Sequence, residues 1–344
     1  MQNDIVAAKK KTRLPYIDTA KGLLIVFMVM GHIVILAKDV TNVSYMEFIT
    51  QINVLFVPYY MQTFFFITGY CSSFNKEFKT FFVANAKSLL IPFITFGVLN
   101  QLIRWIFFHE NFFFCVELGK EFFFLVELYW FLAALFIAKI IYFSITKLTT
   151  NMWIGGGIIM LLFFCAVYLN GRHVHSYNYF HWHNALCNLP FLWIGQVFRN
   201  FRISNNFEKW ENLFVPLYII LVLVFNILQL DIPSYSHYPH FYWQQTHCYF
   251  IFAFVGSMMI IAISKKLPSN RILTFFGKNS LTVYGLHFSV LGLFQLCLVH
   301  ILSPSNHYAA LVFYILSLIV TLIITFWLCL LFQRKPFRYL IGNF

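Results

Sequence analysis

The sequence predicts an all-α integral membrane protein of about ten transmembrane helices with cytoplasmic N- and C-termini, and three observations carry that expectation. The first is composition: of 344 residues, 60% are hydrophobic, 21% aromatic and only 10% charged, whereas soluble domains hold about a quarter charged residues. The second is the recurrence of stretches near the length of about 20 apolar residues that a spanning helix needs. They lie at 17–37, 49–70, 89–108, 124–146, 152–169, 185–198, 213–230, 246–264, 280–302 and 308–332. The sixth is short and contains Pro190, and the ninth follows the polar break FFGKNS. The third is charge placement. With the N-terminus inside, 19 of the 24 Lys and Arg residues fall in internal segments, whereas Lys38, Lys120 and Arg172 fall outside and Arg104 and Lys139 within spans. This is the positive-inside bias, so the net charge of +12 reads as topology and not as a nucleic-acid footprint.

Residues 1–15 form a basic tail, with Lys9, Lys10, Lys11 and Arg13. No small-residue cleavage site follows, so the first hydrophobic segment is expected to stay in place. Neither repeats nor a low-complexity linker divide the chain, which reads as a single membrane domain over 1–344. The chain is expected in the cell (inner or plasma) membrane as a multi-pass protein. The runs FFF at 112–114 and 122–124, flanking VELGKE, suit an interfacial or re-entrant segment.

The first span, YIDTAKGLLIVFMVMGHIVI, places two ionisable groups on one helical face. Lys21 and His32 are eleven residues apart, which returns them to within about 20° of each other and separates them by about 16 Å along the axis. Asp18 shares the stripe one turn earlier. Ionisable residues inside a bilayer are costly and mark functional sites, although a histidine hydrogen-bonded to a neighbouring helix is the plainer reading. His287 is a second intramembrane histidine, with Tyr284 one turn before it. Arg104 lies near a span end, where it can snorkel, and Trp130 reads as a packing residue.

Other chemistries find little support. Seven scattered cysteines without a CxxC pair indicate neither a disulfide framework nor a zinc site. Serine hydrolase, zincin, NTPase and dinucleotide-binding motifs are all missing. His109, His173, His175, His181, His183, His237, His240, His300 and His307 fall in or beside external segments, interleaved with aromatics as in YNYFHWHN and YSHYPHFYW. Such surfaces suit a sugar, and equally an interfacial aromatic belt. Without accompanying carboxylates they do not suggest a metal site.

Several stretches together carry a resemblance. Asp18-x-x-Lys21-Gly22 followed by Gly31-His32 resembles the first-helix motif of the membrane acyltransferase-3 family, and the Lys version is similar to its fucose-4-O-acetylase-like branch. FFFITGY (64–70), AKSLLIPF (86–93), YWFLAALF (129–136), NLPFLWIGQVFRN (188–200) and NSLTVYGLH (279–287) resemble later family stretches, in family order. Thr68 stands where the family has Ser and Tyr129 where Leu is common, and only Lys87 remains of a paired basic loop.

The resemblance implies a membrane O-acyltransferase that moves an acetyl group from cytoplasmic acetyl-CoA, a co-substrate and not a resident cofactor, to a hydroxyl of an extracytoplasmic glycan. The acceptor class is a cell-surface polysaccharide or lipid-linked sugar. It makes His32 a general base or an acyl relay, with Asp18 supporting the chemistry and Lys21 and Lys87 holding the donor. His287, Tyr284, Trp130 and Arg104 become acceptor or supporting residues. A secondary transporter of a small metabolite is the rival from another class, but transporters commonly show repeats with paired broken segments. A scaffold leaves the Lys21–His32 stripe unexplained.

Overall fold

The computed structural model describes residues 14–40, 55–108, 129–171, 181–200, 209–228, 230, 232, 246–267, 270–302 and 305–342. Among them there are helices and no strand. The basic tail, the 112–124 segment, Lys38, Lys120, Arg172 and the histidines at 109, 173, 175, 237 and 240 lie outside what can be described of side chains.

Helix α1 (Pro15–Val40) opens with proline at its first position, where the missing N–H costs no hydrogen bond, and carries Asp18 in its first turn. It packs against α2 (Tyr60–Cys71), α9 (Thr246–Lys266), α10 (Arg271–Lys278), α11 (Ser280–Ile301) and α12 (His307–Phe332). Ala20, Leu24, Met28, Val29, Ile33 and Ala37 are accordingly buried. Between α2 and α9 run α3 (Phe78–Asn85), α4 (Ile91–Phe108), α5 (Trp130–Leu148), α6 (Met152–Gly171), α7 (Trp182–Asn200) and α8 (Phe214–Ile227). Asparagines start three helices: the side chains of Asn151, Asn270 and Asn306 accept from Ile154, Leu273 and Ala309 backbone N–H groups, satisfying donors that a helix start leaves unpaired.

Seven helical segments among the described residues are long and apolar enough to cross a membrane: Pro15–Ala37, Phe78–Phe107, Trp130–Leu148, Met152–Leu169, His247–Lys266, Ser280–Ile301 and His307–Phe332. The three remaining expected spans take other forms. Of residues 49–70, 49–54 lie outside the described residues and the rest hold the 12-residue α2, buried almost throughout. Residues 185–198 yield α7, 19 residues long but rich in buried polar groups such as His183, Asn184, Asn188 and Gln196. Residues 213–230 yield the 14-residue α8, about 21 Å long and shorter than a hydrocarbon core of about 30 Å. The third expected span starts earlier than residue 89. Phe78–Phe107 is continuous because the wide turn Ala86–Leu90 links α3 to α4 just before Pro92, which has no N–H for a regular helical bond.

Contacts between helix ends gather the basic residues at one end of the bundle. Lys265 pairs with Glu211 at 2.8 Å and lies 5.9 Å from the Tyr16 ring. Gln333 donates to Asn279 at 2.9 Å. An added Cβ at Gly342 would meet the Lys87 carbonyl. Lys21, Lys265, Lys266, Lys278 and Arg334 thus share the end at which α1 and α11 begin and α9 and α12 finish.

Two crossings need glycine. At α1–α10, a Cβ on Gly22 would strike the Leu273 carbonyl and one on Gly277 the Asp18 carbonyl. At α2–α7, a Cβ on Gly69 would strike the Leu192 carbonyl and one on Gly195 the Phe66 carbonyl. Close approach of backbones through small residues is how helices associate when lipid offers no hydrophobic contrast. Gly195→Ala must therefore separate α2 from α7, and an overpacking cost of about 1–3 kcal/mol is expected. The check is a lower melting temperature of the detergent-purified protein, with Gly157→Ala, whose Cβ would meet open space, as the neutral control.

Candidate active site

The two intramembrane histidines meet. His287 Nε2 lies 3.1 Å from His32 Nδ1, across 255 residues of sequence, and the ring centroids are 5.0 Å apart. His287 is fully buried, whereas His32 is half-buried. Phe288 covers both rings, with centroids 4.4 Å from His32 and 4.6 Å from His287.

The tautomers follow from the partners. His287 Nδ1 lies 2.8 Å from the Tyr284 carbonyl and 3.2 Å from the Val283 carbonyl; carbonyl oxygens only accept, so this nitrogen carries the proton. In a neutral ring Nε2 is then bare and must accept. The proton in the histidine pair therefore belongs to His32 Nδ1. His32 Nε2 is left as a lone pair, the form a general base requires.

The pair stands beyond one end of a cavity of about 160 Å³ lined by residues including Lys21, Ile25, Thr68, Leu135, Ser280 and Tyr284. Lys21 and Ile25 are on the α1 stripe that ends at His32, and Ser280 and Tyr284 are on the α11 stripe that ends at His287. The two helices run in the same direction, so the lining runs from Lys21 and Ser280 to Tyr284, one turn before His287 on α11. Its remaining walls are apolar side chains of α2, α5 and the Ala86–Leu90 turn.

The expected site residues divide accordingly. Lys21 and Tyr284 line the cavity, and His32 and His287 meet one helical turn beyond Tyr284. Lys87 is exposed at the basic end, two residues from the cavity-lining Leu89. Asp18 is buried, 4% exposed, and its carbonyl faces Gly277. Fourteen residues, about 21 Å of helix, separate it from His32, and one turn separates it from Lys21. Trp130 and Arg104 are half-buried and line none of the cavity. His183 is not a solvated loop residue: it is buried in α7 and its Nε2 donates to the Ala166 carbonyl at 2.8 Å.

Residues the sequence reading passed over include Ser280, Thr68 as a cavity wall, and Gln295, whose amide donates to the Ile33 carbonyl at 3.1 Å. Ser280 had a signal, since it is seven residues before His287 on one helical face. Gln295 had none, because its partner is a backbone atom.

Neither a curated protein nor a solved structure matches the chain. A family model described as an acyltransferase domain matches residues 14–330, which includes every residue of the cavity and both histidines. With nearly the whole chain matched, this multi-pass membrane protein belongs to the acyltransferase-3 family.

Proposed function

We propose that the protein transfers an acetyl group from acetyl-CoA to a hydroxyl of a cell-surface polysaccharide or lipid-linked sugar, with His32 as general base. The observation that carries the reading is the hydrogen-bonded histidine pair, which leaves a bare Nε2 on His32 one helical turn beyond a cavity lined by Lys21 and Tyr284. A direct attack needs only this lone pair. An acyl-histidine relay would use the same nitrogen as nucleophile.

The cavity suits the donor. Lys21, at the basic end, is a point charge for the CoA phosphates, and Lys87 adds a second cation nearby. Thr68 and Ser280 offer hydroxyls to the pantetheine amides, and the apolar walls accept its methylenes. In this reading the basic end of the bundle is cytoplasmic, so the donor enters there and the thioester reaches the imidazoles within the membrane. The acceptor enters from the opposite side, where resemblance to the fucose-4-O-acetylase-like branch suggests a sugar hydroxyl. His287 acts through His32 as its proton acceptor and tautomer lock. Asp18, one turn before Lys21, orients that cation for the donor. The family membership does not favour the transporter alternative.

In sealed proteoliposomes, acetyl-CoA supplied at the basic face is expected to acetylate a glycan confined to the other face. His32→Ala should lower this transfer at least about 10²-fold, the usual contribution of a positioned base, while the protein inserts normally. Transfer that requires both substrates on the basic face would overturn the through-membrane path.

His287→Ala should cost about 10–100-fold in kcat, typical for loss of a partner that orients a functional histidine, and His287→Gln should recover part of it because its amide oxygen can accept from His32. Equal losses in the two variants would assign His287 to packing. Lys21→Ala should raise the apparent KM for acetyl-CoA by about tenfold with little change in kcat, as expected for one charge-assisted contact of about 1.5 kcal/mol present before and after the chemical step.

A further inference from the structure

The geometry points to Tyr284 as the group that receives the negative charge of the reaction: its hydroxyl binds the thioester carbonyl oxygen and stabilises the oxyanion. This rests on the acetyl-CoA reading above and adds to it the electrophilic half of the site.

A base beside an acceptor hydroxyl is only half of an acyl transfer. As the acceptor oxygen bonds to the carbonyl carbon, its proton passes to His32 Nε2 and the carbonyl π pair moves onto oxygen. When the C–O double bond re-forms, the C–S bond breaks and the thiolate leaves, taking the proton from His32 to become the free thiol of CoA. Between these steps a full negative charge sits on the former carbonyl oxygen, in a site walled by Ile25, Met61, Phe64 and Leu135. In such surroundings an uncompensated charge is costly, and a preorganised donor is worth far more than in water.

Three observations single out Tyr284 for this task. It is the polar side chain at the deep end of the cavity, opposite the end that holds Lys21 and Ser280. It is one turn before His287, whose ring centroid is 6.2 Å from its own and whose Nδ1 bonds to its carbonyl at 2.8 Å, so the phenol is registered through one turn of α11 to the histidine that holds the base at 3.1 Å. Its oxygen is also paired with the backbone of Phe131, the second residue of α5. Helix starts present N–H groups and the positive end of the helix dipole. An N–H donated into the phenol oxygen makes the phenol a stronger donor in turn. The other polar groups do not fill the role: Tyr129 gives its proton to the Gly285 carbonyl at 2.9 Å, and Thr68 and Ser280 belong to the shallower part of the cavity.

Tyr284→Phe tests this, because it removes one oxygen and keeps the ring that packs at 5.6 Å against Phe131. With acetyl-CoA and the glycan acceptor in proteoliposomes, kcat is expected to fall about 10²–10³-fold, the usual consequence of losing an oxyanion donor, with KM for acetyl-CoA within about twofold of wild type. The dissociation constant of CoA, which has no thioester carbonyl, should be unchanged, and fluoroacetyl-CoA, whose oxyanion needs less help, should lose less than acetyl-CoA. An unchanged kcat would overturn the assignment, as would a loss confined to KM, weaker CoA binding, or equal losses for the two donors. Wild-type protein that fails to transfer from acetyl-CoA would instead sink the functional reading on which the inference rests.

Discussion

The structure depends on the hydrogen bond between two neutral imidazoles, His32 of α1 and His287 of α11, made where water is scarce. A charged histidine there would need a counter-charge, and among the described residues neither imidazole is paired with an Asp or Glu. Pairing two neutral rings is the solution that burial permits, because each supplies what the other lacks and a backbone carbonyl terminates the chain. Its geometry tolerates little error, since a bond of 3.1 Å between two spans weakens steeply with displacement. Gln295 bonding to the Ile33 carbonyl at 3.1 Å holds the same two helices next to the histidine pair. At the other end, the glycine contacts of α1 with α10 fix how far α1 can slide. Position along α1 is thus set above and below the functional nitrogen.

How much of this was legible in the sequence follows from the range of each interaction. The Lys21–His32 stripe was readable because helical periodicity is local, and both residues do belong to the face that borders the cavity and the histidine pair. The apolar spans were readable from hydropathy for the same reason. The pairing of His32 with His287 was not, because nothing in either segment encodes a partner 255 residues away. Tyr284 and His287 were recognised as sharing a face, but not that their face looks at α1.

The spans that hydropathy described poorly are instructive in the same way. Segments 49–70 and 185–198 contain the α2–α7 pair, whose interface is backbone against backbone through Gly69 and Gly195. Gln62 reaches Tyr249 at 2.6 Å, and Thr63 reaches Ser257 at 2.8 Å. Gln196 donates to the Gly69 and Ser72 carbonyls. A helix surrounded by other helices can carry such groups, because protein replaces the missing water as partner. Apolar length therefore underestimates a buried helix such as α7 that carries polar groups, whereas buried but apolar helices such as α9 and α11 keep their signal. By contrast α12 exposes Ile315, Ile319, Ile323 and Trp327 and its pattern is unmistakable.

The position where this chain departs from the family stretch it otherwise resembles then acquires a meaning. Tyr129, in place of the common Leu, immediately precedes α5 and sends its hydroxyl to the Gly285 carbonyl at 2.9 Å, between Tyr284 and His287 on α11. Ser289, one turn further, bonds to Asn100 of α4 at 3.0 Å. A leucine would fill the same space without tying the start of α5 to α11. That start is where Phe131 meets the Tyr284 hydroxyl, so the additional bond fixes the helix terminus against the phenol it supports. Tyr129 thus ties the start of α5 to α11 beside the candidate site, a bond that a leucine could not make.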